Sequence, residues 1–343
     1  MVNLFAIVYL LSAAPPTTAE LVQLGEAQVN RGDGKKAQAS LQKALLDSGL
    51  DDKARARAEK ALGMALLQQR KPADAIAHLD KATTLLGSDE KAWLLLGLAY
   101  DGAEKFEDAI AAYKRGIEKL PKSSALLHEL GMAQLGAGQG EAAATALDRA
   151  AALAEVDPEI QTDAAYAFTV VGKFKEARQH AELAVSLAPQ SPDAFYVLGT
   201  AAAGLSDNKA AKIAWEQALE IDDLHVPSLF HLGLLAQKQS DDAGAVRRFN
   251  RVLQIEPGHA RARAALGMSL GRLATADTQA EKLLQETVQV DPGYAQGFAM
   301  LAEIQMRLNK SGEAKKNLDK AVKLKPDEAS WKKRLDEIKK QKK

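Results

Sequence analysis

The chain has 343 residues, and its 45 Lys and Arg balance 45 Asp and Glu, so it exerts no general pull on nucleic acid or anionic lipid. It contains no Cys, which excludes disulfides, thiolate catalysis and thiolate metal sites. Hydrophobic residues at 47%, charged residues at 26% and aromatics at only 5% describe a folded, helix-rich protein and not a disordered one.

The amino end carries an apolar run of eleven residues, Leu4 to Ala14. A bilayer span needs about 20 residues, so the run is too short for one and suits the core of a secretory signal. Thr17-Thr18-Ala19 ends in a small residue, so residues 1–19 read as a signal peptide with Glu20 beginning the mature chain. No Lys or Arg precedes the run, and Pro15-Pro16 argues against a cut directly after Ala14. The leader predicts export, to a bacterial periplasm or envelope; if it is not a signal, the compartment is cytoplasmic. An uncleaved anchor is the alternative use of the same run.

From Leu24-Gly25 onward one pattern recurs. Leu-Gly pairs end at Gly25, Gly63, Gly97, Gly131, Gly199, Gly233 and Gly267; Ala165 fills the gap in the series and Ala302 extends it. From Gly63 to Gly267 the step is 34 residues; the first interval is longer, and the last is 35. Twelve residues after each marker stands a small residue: Ala37, Ala75, Ala109, Ala143, Ala177, Ala211, Ala245 and Ala314, with Ala280 one place late in the eighth copy. A larger residue follows four places on, as Leu41, Leu79, Tyr113, Leu147, Trp215, Phe249, Leu284 and Leu318, with Ala181 the small exception. Spacings of three and four put these side chains on one helix face, so each copy predicts two paired helices. Small residues permit close approach, and prolines such as Pro121 end the second helix. One hairpin cannot bury its apolar face alone, so neighbours must stack.

After the ninth copy, "PDEASWKKRLDEIKKQKK" predicts a basic capping helix over 328–343. Trp331, Leu335 and Ile338 share a face there, while Lys332, Lys333 and Arg334 stay in water.

This pattern resembles the tetratricopeptide repeat family. Trp93, Gly97, Tyr100, Ala109, Tyr113 and Pro121 together give nearly the full motif in one copy. The resemblance implies an all-α, right-handed superhelical solenoid of about nine hairpins. The array spans 20–327, with copies at about 18–51, 56–89, 90–123, 124–157, 158–191, 192–225, 226–259, 260–294 and 295–328. It also implies an inner wall made by the first helices, where Leu94, Leu98, His128, Met132, Tyr166, Tyr196, Phe230, Leu234 and Met268 are expected to meet a partner. Such an apolar and aromatic strip suits a helix or extended segment of another protein; its alternative role is packing between neighbouring copies. Arg57, Lys60 and Lys91 lie on the same side and offer themselves to acidic groups. The asparagine of the family's carboxylate-clamping members is missing from the candidate positions.

No enzyme is expected. The six His form no His-x-x-x-His pair, and His225 and His231 are six apart, a poor match for metal ligands on a helix. Asp222-Asp223 and Asp241-Asp242 read as turn residues that start helices. "GAGQGE" has no strand before it and no following Gly-Lys-Ser, so it does not cradle phosphate. The reading is a non-catalytic protein-binding scaffold, with no cofactor, no metal, no nucleic acid and at most peripheral membrane contact. The alternative is a carbohydrate- or peptidoglycan-associated helper, for which Tyr166 and Tyr196 are the aromatic hint.

Overall fold

The structure, a computed structural model, describes residues 16–274 and 276–340. The apolar run Leu4–Ala14 lies outside the described residues. The chain divides into two compact units between Lys173 and Phe174.

The first unit contains α1 (Thr18–Asn30), α2 (Gly34–Leu45), α3 (Asp52–Gln68), α4 (Pro72–Leu85), α5 (Glu90–Gly102), α6 (Phe106–Lys119), α7 (Ser124–Gly136), α8 (Gly140–Leu153) and α9 (Pro158–Val170). The second contains α10 (Phe174–Leu187), α11 (Pro192–Gly204), α12 (Asn208–Ile221), α13 (Val226–Lys238), α14 (Asp242–Ile255), α15 (Ala260–Leu273), α16 (Asp277–Val290), α17 (Ala295–Arg307), α18 (Ser311–Leu324) and α19 (Ala329–Lys340). No strand occurs among the described residues. Helices pair as α1/α2, α3/α4, α5/α6 and α7/α8 in the first unit, and as α11/α12, α13/α14, α15/α16 and α17/α18 in the second. Within each unit each pair also packs on the next. The all-α class and the stacked-hairpin architecture read from the sequence are therefore those of the molecule.

The local causes repeat with the sequence. First helices are started by side chains that accept a backbone N–H: Asp51, Asp89, Ser123, Asp157, Ser191, His225 and His259. Two histidines thus serve as helix caps through Nδ1, taking N–H from Ser228 and Ala262. In six of these pairs, all but α15/α16 and α17/α18, the marker glycine admits the large residue sixteen places on. A Cβ at Gly97 would sit 2.2 Å from the Tyr113 ring, and one at Gly233 2.5 Å from Phe249. Ala109, Ala143, Ala211 and Ala245 are completely buried at the facing positions. Trp93 is buried and donates its Nε1–H to the Gly87 carbonyl at 2.8 Å; Tyr100 is half-buried, and Pro121 stands exposed in the turn that ends α6.

The turn after each first helix bends through one left-handed residue at the same register. Gly32, Gly138 and Gly172 take this place in three turns, and Arg70, Glu104, Ser206, Ser240, Ala274 and Asn309 take it in the others. The extra residue of the eighth copy is absorbed at this point: Ala274 at φ 53° caps α15, and α16 starts at Asp277. At the other end of the second unit α19 buries Leu335 and Ile338, half-buries Trp331 and leaves Lys332, Lys333 and Arg334 exposed. The first helix begins at Thr18, inside the span 1–19 read as leader. Thr17 and Glu20 cap it reciprocally, Thr17 Oγ1 accepting from the Glu20 N–H and Glu20 from the Thr17 N–H at 2.7 Å. No helix among the described residues is long and apolar enough to cross a membrane.

Candidate functional site

The residue just past each marker glycine forms one register row on the first helices. In the first unit this row is Glu26, Met64, Leu98, Met132 and Tyr166; the first two are half-buried, and the last three, spaced by 34, are exposed, at 52%, 40% and 43%. Such large apolar groups would be covered if the row served only to pack hairpins together. Leu98 and Met132 share a recess of about 250 Å³ with Phe106, Tyr113 and the acidic rim of Asp101 and Glu129. Burial, with the nearby carboxylates of Glu129 and Asp101, pushes the Tyr113 phenol up and keeps it protonated.

Other predicted wall residues are placed differently. Leu94 is half-buried against the first unit's core. His128 is held between helices, its Nε2 2.6 Å from Asp163 of α9. That bond, opposed by burial and supported by the charges of Asp163, Glu129 and Glu159, raises the imidazole pKa above 6.5. Arg57 and Lys60, expected to face a partner, are already spent: Arg57 forks onto Glu26 of α1 at 2.5 and 2.9 Å, and Lys60 pairs with Asp89. Their partners stand about thirty residues away, one repeat before or after, which is why the sequence pattern did not show them. Lys91 is exposed.

In the second unit Tyr196 belongs to a ring cluster. Its ring lies edge-on to His225 at 5.7 Å and to His231 at 5.4 Å, and its hydroxyl is 3.3 Å from His231 Nε2. Phe230 is buried, at 5% exposure, between Phe249, His231 and His259, with the Arg261 guanidinium 5.2 Å above its ring. It is therefore a floor residue and not an exposed contact. Leu234 and Met268, half-buried, join Phe230 around a recess of about 340 Å³ that also takes in Arg261, Val290 and Tyr294. Burial, and then Arg261, hold the His231 imidazole neutral, with its pKa lowered to about 4.

Sequence reading missed Phe106, Arg261, Val290 and Tyr294. Phe106 opens a second helix and reads as core; Val290 and Tyr294 flank the α16–α17 turn, outside the first-helix pattern. Arg261 lay within reach, because it occupies the first turn of a first helix.

A family model described as tetratricopeptide repeat matches residues 22–90, 60–125, 94–158 and 128–192, and another of the same description matches 295–328. No curated protein matches the chain. The solved Cut9–Hcn1 hetero-tetramer of the APC/C is 13% identical, over 94% of this chain and 76% of that one, with a TM-score of 0.61. The C-terminal part of a TPR repeat-containing protein from Cytophaga hutchinsonii is 12% identical over 71% of this chain and 99% of that one, with a TM-score of 0.55. YrrB, described as a TPR protein with an unusual peptide-binding site, is 23% identical over 55% of this chain and 95% of that one, with a TM-score of 0.48. The first two share the fold of stacked helical hairpins.

Proposed function

The chain belongs to the tetratricopeptide repeat family, and from that premise we propose that it is a non-catalytic scaffold that holds a segment of a partner protein against its first helices. One observation carries this reading: Leu98, Met132 and Tyr166 are exposed in a single register row, and Leu98 and Met132 line one recess with Phe106. The acidic rim of Asp101 and Glu129 supplies polar contacts around that apolar centre, the usual anatomy of a protein-binding patch. A glycan shelf is less well served, because the Tyr196 ring and hydroxyl are engaged with His225 and His231. The compartment belongs to the same proposal. The apolar run Leu4–Ala14 supports action outside the cytoplasm, in the periplasm or envelope, and amino-terminal sequencing of the protein recovered from that fraction tests it.

Binding is tested by photocrosslinking. A photoreactive residue placed at Leu98 or Met132 is expected to trap one discrete partner, and the same residue at exposed Lys114 of α6 is not. Equal trapping from both faces, or none from either, overturns the proposal.

A further inference from the structure

The recess of the second unit differs from that of the first in the charge at its edge. It is built by Phe230 and Leu234 of α13, by Arg261 and Met268 of α15, and by Val290 and Tyr294 at the α16–α17 turn. Its size falls at the lower end of ligand pockets. Val290 is 70% exposed there, an aliphatic group with nothing covering it among the described residues.

The polar groups around this apolar floor are nearly all satisfied within the unit. Gln237 donates its amide to the Ala265 carbonyl at 2.9 Å and to Ser269 Oγ at 2.7 Å. Thr287 donates to the Leu283 carbonyl at 2.8 Å. Arg272 is held by Asp242 at 2.7 Å, and Arg263 by the Pro257 carbonyl at 2.7 Å and Glu286 at 3.9 Å. Asp291, the acid of the lining, accepts the Gly293 N–H at 2.9 Å. Among the described residues Arg261 makes no hydrogen bond or ion pair, and it is the one cation of the lining left so; the Tyr294 hydroxyl beside it is likewise unbonded. It lies across the Phe230 ring, so one face of its guanidinium is covered by an aromatic surface. A guanidinium placed this way keeps the edge of its plane open and is suited to a forked bond with a carboxylate.

We propose that this recess binds an internal segment of a partner protein in which an apolar side chain stands next to an Asp or Glu, the apolar group seating on Phe230, Leu234 and Met268 and the carboxylate on Arg261. The proposal rests on the scaffold reading above and names the chemistry of the segment at this site. A side-chain carboxylate is favoured over a chain end, because capture of a terminus takes several convergent cationic or backbone donors and Arg261 is the one cation of the lining unpaired among the described residues. His231 reports the event. Its imidazole packs beside Phe230 and feels the Arg261 charge, so an occupant of the recess is expected to shift its titration.

The test begins with selection of random displayed peptides on the immobilised full chain. Amide-capped peptides with Phe–Glu, Phe–Gln, Phe–Lys and Ser–Glu pairs follow, and a Phe–Gln peptide with a free terminal carboxylate. The expected result is enrichment of apolar–acid pairs, with Phe–Glu bound roughly tenfold more tightly than Phe–Gln. Arg261→Gln is expected to abolish that preference and leave the Phe–Gln affinity nearly unchanged, and its unfolding curve shows whether the fold is kept. If the variant fails to fold, the comparison of peptides on the wild-type chain, with the His231 titration, decides alone. Selected peptides without acids, no enrichment, tighter binding of the free-acid peptide than of capped Phe–Glu, or an unchanged Glu preference in a folded Arg261→Gln chain would each overturn the proposal. None of these outcomes touches the crosslinking at Leu98 and Met132, so the scaffold reading stands or falls separately.

Discussion

Gly97 shows how much a single atom decides. The Tyr113 ring occupies the space a Cβ would need, and both residues are buried in the first unit's core. Gly97→Ala is expected to cost about 1–3 kcal/mol through overpacking, read as a fall in the denaturant midpoint with an unchanged slope. His128 sets a different kind of dependence. Its folded-state pKa is raised above the ordinary 6.5, chiefly by the bond to Asp163. A raised pKa means that the charged form is favoured by folding. The contribution is therefore complete below the unfolded value and is lost as pH rises through the folded one. The unfolding midpoint is expected to decline as pH rises above about 6.5, and Asp163→Asn is expected to flatten that decline. A wild-type profile without slope in this range would contradict the pairing.

At the scale of the element, the turns hold the feature hardest to read from sequence. A left-handed residue recurs at one register, yet six of these places carry a side chain instead of glycine. An L-residue there costs about 1–2 kcal/mol, and glycine gives part of this back to the unfolded chain's entropy. Glu104→Gly is accordingly expected to stabilise the α5/α6 hairpin by about 0.5–1 kcal/mol, measurable as a higher midpoint in thermal unfolding. Hairpin pairing itself was legible, because Gly97 with Tyr113 and Gly233 with Phe249 are spaced so that one can receive the other. The wall proposed to meet a partner was only half legible. Leu98, Met132 and Tyr166 are exposed as the pattern implied, whereas Phe230 turned inward, since a fraction of a helical turn separates floor from rim. Cross-helix partners such as Asp163 for His128 or Glu26 for Arg57 lie on other repeats, and no periodicity within a helix discloses them. The same applies to the rungs that join hairpins in the second unit. Arg272 to Asp242 and Arg307 to Asp277 each link the last turn of a first helix to the start of the preceding second helix. Cation and carboxylate there also sit at the helix ends that suit their charges.

For the molecule as a whole, two compact units each rest on their own hydrophobic cores. The second unit ends under α19, where Leu335 and Ile338 are buried and Trp331 packs beside Ala302, Met306 and Leu318. A chain ending at Glu328 uncovers that face. It is expected to lose about 3 kcal/mol or more of local stability, from two large side chains no longer buried. It should also self-associate with rising concentration in light scattering, while the full-length chain does not. The substantial packing of every helix is onto helices one or two places away along the chain. Tension along either unit would therefore meet no long-range clasp. Stretched in an optical trap, each unit is expected to yield hairpin by hairpin, in a staircase of small, similar ruptures and not in one brittle snap.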